Sequence, residues 1–131
     1  MFQWLKDKVL FGAIQSGDIT AFTEALQRGA NPNSYFRGQT PLIWACMRGE
    51  QFMIMKLIEC GADPYQKDKS MKYNAFDMCK KQEEHGVINE GLYDTMMQAI
   101  EMYQVRKDLI GKEPIPEWLE YHNYYGKNKI G

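Results

Sequence analysis

The sequence has few of the patterns that mark secreted, metal-binding or membrane proteins. Its three cysteines, Cys46, Cys60 and Cys79, are odd in number and form no CxxC pair, so neither a disulfide framework nor a zinc site is predicted. No apolar run approaches the length of a membrane span. The N-terminal segment contains acidic Asp7 and no small-residue cleavage site, unlike a secretory signal. We therefore expect a cytoplasmic protein with reduced cysteines and no membrane contact.

An excess of charge of one sign is also missing. The chain has 16 basic and 17 acidic residues and a formal net charge of -1, whereas nucleic-acid-binding domains are usually basic. Its length of 131 residues suits one domain. An apolar fraction of 44% with 13% aromatic residues predicts a packed globule, because disordered chains are poor in both.

The sequence also has few titratable side chains that could form a catalytic site. The two histidines, His85 and His122, have no cysteine or carboxylate at ligand spacing. The sequence contains no nucleophile motif, phosphate-binding loop or metal motif. We therefore expect neither enzyme activity nor a cofactor.

What the sequence does contain is an internal repeat. LFGAIQSGDITAFTEALQRGANPN and LIWACMRGEQFMIMKLIECGADPY align at an offset of 32 residues. A fixed period of this length is typical of repeat proteins, in which each unit packs against its neighbours. The identical pairs are Leu10 and Leu42, Ala13 and Ala45, Gly17 and Gly49, Gly29 and Gly61, Ala30 and Ala62, and Pro32 and Pro64.

The second copy predicts two helices and a connector. Thr40 is suited to an N-cap and Pro41 to the first helical position, and Gly49 is suited to end that helix. Apolar residues at helical spacing predict a second helix over residues 52–60, which Gly61 ends. The segment ADPYQKDKS that follows predicts an extended or hairpin-like connector.

The segment GQTPLIWACMRGEQFMIMKLIECGADPY resembles an ankyrin repeat. The likeness lies in the G-x-T-P-L opening, the Ala45–Cys46 pair, Gly49 and the closing G-A-D, while Ile43 stands where that family most often has histidine. The resemblance covers residues 5–105 and implies an all-α fold, a short solenoid of stacked helix-turn-helix units with extended connectors. We expect an array over residues 1–110, with units at roughly 1–36, 37–70 and 71–110.

The two outer units differ from the second, as terminal repeats do. The first extends backwards, which predicts a long N-terminal helix that acts as a lid. In the third, QEEHGVINEG expands the turn between the helices, and an apolar stripe predicts a last helix that continues to about Ile110.

Residues 111–131 form a tail rich in proline and aromatic residues. Trp118, Tyr121 and Tyr125 have the spacing of one helix face, and Tyr124 lies beside them. Two interpretations stay open. The favoured one is a cap over the open end of the last repeat; the other is a tail that contacts a partner.

The resemblance also implies a protein partner, bound through the connectors and the faces of the first helices. Large side chains on connectors are hard to bury, and exposed aromatics tend to mark interaction sites. We expect Tyr35, Arg37 and Tyr65 to be exposed, while Phe36, Trp44 and Tyr73 are equally suited to local packing. The predicted partner-binding residues are Tyr35, Phe36, Arg37, Trp44, Met47, Arg48, Tyr65, Lys67, Lys69, Lys72 and Tyr73.

The methionines divide in the same way, because methionine fills core gaps and also makes adaptable binding surfaces. Met53 and Met96 fall on apolar helical stripes and are expected in the core, whereas Met47 and Met71 are expected at the surface.

The function predicted from this pattern is stoichiometric protein binding without chemistry, as a small inhibitor or adaptor that occupies a surface of another intracellular protein. A viral or bacterial factor that blocks a host protein is one such role. Two alternatives stay open. Lysines and aromatics in YQKDKSMKY could hold phosphates and stack bases, or the chain could be a self-assembling structural protein, although a monomer is favoured over a homo-oligomer.

Overall fold

A computed structural model describes residues 2–85, 91–110 and 117–121, and for residues 107–110, 120 and 121 it describes the backbone alone. These residues form helices and connectors, and the sole β pairing among them is an isolated antiparallel bridge between Phe36 and Gln39. The helices are α1 (Gln3–Ser16), α2 (Ile19–Gln27), α3 (Pro41–Arg48), α4 (Gln51–Glu59), α5 (Ala75–Glu84), α6 (Leu92–Ile110) and α7 (Glu117–Tyr121). The predicted all-α fold is confirmed.

The boundaries of α3 follow from the signals in its sequence. Thr40 Oγ1 accepts a hydrogen bond from the backbone N–H of Ile43 at 3.2 Å, and Pro41 occupies the first helical turn. Gly49 ends the helix in the left-handed conformation, at φ +67°. The predicted helix start and stop are therefore confirmed.

The helices stack as a solenoid of helix pairs. α1, α3 and α5 pack side by side as one layer, and α4 packs against α6 in the other. The core between the layers contains Met53 and Met96, as predicted, and both are fully buried. Its other large, fully buried side chains include Leu10, Ile14, Phe22, Leu42, Ile43, Ile54, Leu57, Ile58 and Leu92.

The first turns of α1 close the N-terminal end of the array by hydrogen bonds. Gln3 Nε2 donates to the carbonyl of Gly29 at 2.9 Å, and the backbone N–H of Asn31 donates to Asp7 Oδ1 at 2.7 Å. One repeat later, Asn33 makes the equivalent bonds, because its Nδ2 donates to the carbonyl of Gly61 and its Oδ1 accepts from the N–H of Asp63. α1 thus replaces the connector of a preceding repeat and is the lid that the sequence predicts.

At the other end, α6 reaches Ile110 as predicted and α7 packs against it. Trp118 and Leu119 of α7 are buried within the hydrophobic core, and the rings of Trp118 and Tyr103 lie 5.5 Å apart between centroids. These contacts support the interpretation of the tail as a cap. The expanded turn at residues 86–90 lies outside the described residues.

Candidate protein-binding site

The first connector, residues 31–40, carries a two-residue hairpin turn. The backbone N–H of Phe36 donates to the carbonyl of Gln39 at 2.9 Å, and the return bond is 3.1 Å. Arg37 and Gly38, between them, have φ values of +51° and +80°. Positive φ at both central residues is typical of a type I′ hairpin turn, so Arg37 is held at the tip in a conformation that few residues other than glycine adopt.

The second connector, residues 63–74, folds around the carboxylate of Asp68. Asp68 Oδ1 accepts hydrogen bonds from Ser70 Oγ at 2.8 Å and from the backbone N–H groups of Lys72 and Tyr73 at 3.1 and 3.4 Å. The backbone N–H of Asp68 donates to the carbonyl of Tyr73 at 2.8 Å. The loop closed in this way holds Met71 at its tip, at φ +62°.

Hydrogen bonds join the two connectors side by side. Tyr35 donates its hydroxyl to the carbonyl of Lys67 at 2.7 Å, and the backbone N–H of Lys69 donates to the carbonyl of Gly38 at 2.8 Å. Gln66 Nε2 donates to the carbonyl of Asn33 at 3.0 Å. The connectors are therefore one hydrogen-bonded unit rather than two independent loops.

Most of the predicted binding residues are exposed on this unit. Tyr35 and Tyr73 are 38% and 37% exposed, and Arg48, at the end of α3, is also at the surface. Met71, which was expected at the surface but was not among the predicted binding residues, is 67% exposed. We define the connector face as the exposed side chains of Tyr35, Arg37, Lys67, Lys69, Met71, Lys72 and Tyr73.

Four predicted binding residues have packing roles instead. Phe36 is half-buried with its ring centroid 5.2 Å from that of Phe11. Trp44 and Met47 are half-buried against the core, and Trp44 Nε1 donates to the carbonyl of Phe36. Tyr65 differs from the expectation of exposure, because its ring packs 5.1 Å from Phe76 and against the core.

The predicted tail contacts divide between packing and residues that the structure does not describe. Trp118 lies in the core, and its Nε1 is buried without a hydrogen-bond partner among the described residues. For Tyr121 only the backbone, in α7, is described. Tyr124 and Tyr125 lie outside the described residues. Partner contacts by the tail stay a prediction.

The electrostatics of the connector face come from its cations. Arg37 lies 5.4 Å from the ring centroid of Phe36, and Lys69 Nζ lies 4.5 Å from that of Tyr35. Burial alone would raise the pKa of Asp68, but hydrogen bonds from Ser70 and from backbone N–H groups outweigh it and hold that pKa below its ordinary value. Asp68 is the one carboxylate of residues 65–73, and its hydrogen bonds within the loop favour the ionised form.

Within the part of the chain that the structure describes, the titratable groups outside the connector face do not converge on one site. Cys46 and Cys79 are buried with their Sγ atoms 3.1 Å apart. Burial, together with the neighbouring Cys79 thiol, raises the pKa of Cys46 well above its ordinary value, which disfavours the reactive thiolate. In residues 2–85, 91–110 and 117–121, no three His, Cys, Asp or Glu side chains are grouped so that they could hold a metal ion.

Among the described residues, no helix combines the length and the apolar character needed to cross a membrane.

Comparison with known proteins agrees with the helical repeat. Residues 37–69 match the Ankyrin repeat family, and this range contains α3, α4 and most of the second connector. A search of curated proteins gave no match. The matched segment supports a role in protein–protein interaction. The chain therefore has an all-α, ankyrin-like fold in which residues 37–69 match an ankyrin repeat.

Proposed function

We propose that the chain is a non-catalytic binding module that acts stoichiometrically, as an inhibitor or adaptor, by occupying a surface of a partner protein. The connector face is the proposed contact surface. The observation that carries this proposal is the set of hydrogen bonds between the two connectors, which fix exposed Tyr35, Arg37 and Lys69 in one arrangement.

A surface that is ordered before binding loses less conformational entropy when a partner docks. Loops without function are commonly polar and mobile, whereas these connectors hold two non-glycine residues at positive φ, Arg37 and Met71. Backbone strain of this kind persists only where surrounding contacts enforce it, and it clusters at functional sites. Aromatic and arginine side chains on such a frame have the composition of interface hot spots.

The cysteines support the same type of function. Cys46, Cys60 and Cys79 are free. Cys46 and Cys79 are buried in the core and act as packing residues, whereas Cys60 is exposed. Free cysteines suit a reducing compartment, which supports a cytoplasmic location for the partner.

The test is affinity capture from an extract of the organism that encodes the chain, followed by mass spectrometry and reconstitution with the purified partner. The variant Arg37→Gly/Lys69→Ala/Tyr73→Ala removes three side chains of the connector face. Glycine is chosen at residue 37 because it fits the positive φ there. We expect the wild-type chain to retain a partner in stoichiometric amount and the variant to lose it.

The matched control is Met55→Ala/Met102→Ala/Val105→Ala, which removes three exposed side chains from α4 and α6. We expect this control to capture the same partner as the wild type. Equal capture by both variants would contradict the connector face as the contact surface, and loss with the control alone would move the site to α4 and α6.

A further inference from the structure

Met71 has an apolar side chain that the fold exposes to solvent. It is 67% exposed and sits at φ +62°, where side chains other than glycine are strained. Its backbone N–H donates to the carbonyl of Asp68 at 2.9 Å, and the next residue, Lys72, donates its N–H to the Asp68 carboxylate. The position of Met71 is thus fixed by hydrogen bonds on both sides and not by packing of its side chain. Methionine is adaptable and polarizable and suits a contact surface.

The exposed charged side chains of residues 33–40 and 65–73 are all basic. Residues 33–40 contain no acidic residue, and residues 65–73 contain Asp68 alone, which is 8% exposed and bonded within its own loop. The four basic residues of these two segments, Arg37, Lys67, Lys69 and Lys72, are all exposed. The whole chain has a net charge of -1, so this positive surface is local.

The aromatic rings beside these basic side chains already have lysine contacts within the chain. Lys69 Nζ lies over the Tyr35 ring at 4.5 Å, and Lys81 Nζ lies over the Tyr73 ring at 5.1 Å. The Tyr35 hydroxyl is bonded to the Lys67 carbonyl. Bases of a nucleic acid need open aromatic faces on which to stack, and here lysines cover one face of each ring. The ammonium groups keep their charge and can still donate to carboxylates.

From these observations we infer that the connector face binds an acidic protein segment with an apolar side chain that packs on Met71. The inference rests on the proposed function and adds the chemistry of the partner. Carboxylates of the segment pair with Arg37, Lys67, Lys69 and Lys72, and they orient the segment as it approaches. The apolar side chain covers Met71 and excludes water at the centre of the contact.

The probes for the test are short synthetic peptides in which glutamates flank a central leucine, and their binding to the full chain is measured by NMR titration. We expect shifts confined to residues 33–40 and 65–73, with an affinity that falls as NaCl is raised. A peptide with glutamine in place of glutamate is expected to bind at least about tenfold more weakly. Replacing the leucine by serine should weaken binding about three- to tenfold.

Two variants of the chain make the test specific. Met71→Gly removes the apolar side chain and suits the positive φ, so it should keep or raise the melting temperature while it weakens peptide binding about three- to tenfold. Met102→Ala is the control, since Met102 is 57% exposed on α6, and should bind as the wild type. Lys67→Gln/Lys69→Gln/Lys72→Gln should bind at least about tenfold more weakly, whereas Lys6→Gln/Lys8→Gln/Arg28→Gln, with the same loss of charge, should not.

The inference is overturned if the glutamate peptide gives no shifts in residues 33–40 and 65–73, or if Met71→Gly binds it as the wild type does. It is also overturned if a fluorescein-labelled single-stranded oligonucleotide of equal charge binds more tightly at the same salt concentration, because a nucleic acid is then the better ligand. The affinity-capture experiment tests the proposed function separately. If the connector variant loses the captured protein, the proposed function is supported even when the peptides do not bind.

Discussion

Asp68 shows how one buried carboxylate can shape a surface loop. Its Oδ1 gathers a side-chain hydroxyl and backbone N–H groups from the residues that follow it, so the loop closes without glycine or proline between residues 65 and 73. Because the acceptor is a charged group, each bond is stronger than one between neutral groups. The conformation at Met71 therefore depends on the ionisation of Asp68.

The pH dependence of this loop follows from the sign of the Asp68 pKa shift. The folded pKa is lowered relative to the unfolded value, so the stabilisation is complete above the unfolded pKa of about 3.9 and is lost as the pH falls through the folded pKa. We expect Asp68→Asn to lower the free energy of unfolding by about 1 kcal/mol at pH 7 and by progressively less towards pH 2. Urea denaturation at a series of pH values measures this difference.

The control for that experiment is Glu101→Gln, since Glu101 is exposed on α6 and its loss should leave the pH profile nearly unchanged. In the wild type, the protection factors for hydrogen exchange at the N–H groups of Lys72 and Tyr73 should fall as the pH is lowered through the folded pKa of Asp68. A difference between wild type and Asp68→Asn that stayed constant from pH 7 to pH 2 would contradict this account.

At the scale of the helices, α1 differs from α3 and α5 because it begins before the point where a repeat would start. The additional turns carry Gln3 and Asp7, which are hydrogen-bonded to each other at 2.9 Å and to the turn after α2. Much of the outer surface of these turns is not covered, since Phe2 and Trp4 are exposed. Polar contacts therefore hold these first turns, whereas the buried residues of α1, Leu10, Phe11, Ala13 and Ile14, lie in the part of the helix that aligns with α3.

We expect Asp7→Ala to lower the free energy of unfolding by about 1 kcal/mol, because it removes the acceptor for the N–H of Asn31 and for Gln3 Nε2. Chemical denaturation gives the stability, and hydrogen exchange at Asn31 reports the local change. Lys8→Ala, an exposed change at the next position of α1, serves as the control and should lie within about 0.5 kcal/mol of wild type. An Asp7→Ala protein as stable as Lys8→Ala would show that these bonds do not hold the helix.

The sequence predicted the helices better than it predicted which connector side chains are exposed. Thr40, Pro41 and Gly49 act on their own helix, so their effects can be read locally. The burial of Phe36 depends on Phe11, a residue of another helix, and no local pattern separates it from exposed Tyr35. The role of Asp68 was missed for the same kind of reason, since its bonds exist only once the loop is closed.

For the molecule as a whole, α7 is the element that covers the last repeat. The sequence predicted the face containing Trp118, yet Leu119 beside it is the more deeply buried residue, with none of its side chain exposed. A five-residue helix has too few turns for a stripe to show which side is covered. Glu117 and Trp118 of α7 line one surface pocket together with Asp63 of the second connector. Burial and, to a lesser degree, the charge of Glu117 raise the pKa of Asp63.

We expect Leu119→Ala to lower the free energy of unfolding by about 2–3 kcal/mol, the usual cost of shortening a buried leucine. Thermal melting followed by circular dichroism measures the loss. Glu117→Ala, an exposed change on the same short helix, should be neutral or slightly stabilising because it relieves repulsion of Asp63. If Leu119→Ala melted like the wild type, α7 would not contribute to the stability of the array.

The hydrogen bonds of Gln3 and Asp7 also bear on how such an array could be lengthened. Gln3 and Asp7 already satisfy, at Gly29 and Asn31, the carbonyl and N–H that Asn33 satisfies at Gly61 and Asp63. A designed repeat fused ahead of α1 would therefore find these groups occupied and would need the first turns of α1 removed before it could dock. The same pair could be used in design. A protein engineer could place a glutamine and an aspartate four residues apart on the first helix of another array, so that they occupy these backbone groups and prevent a further repeat from docking at that end.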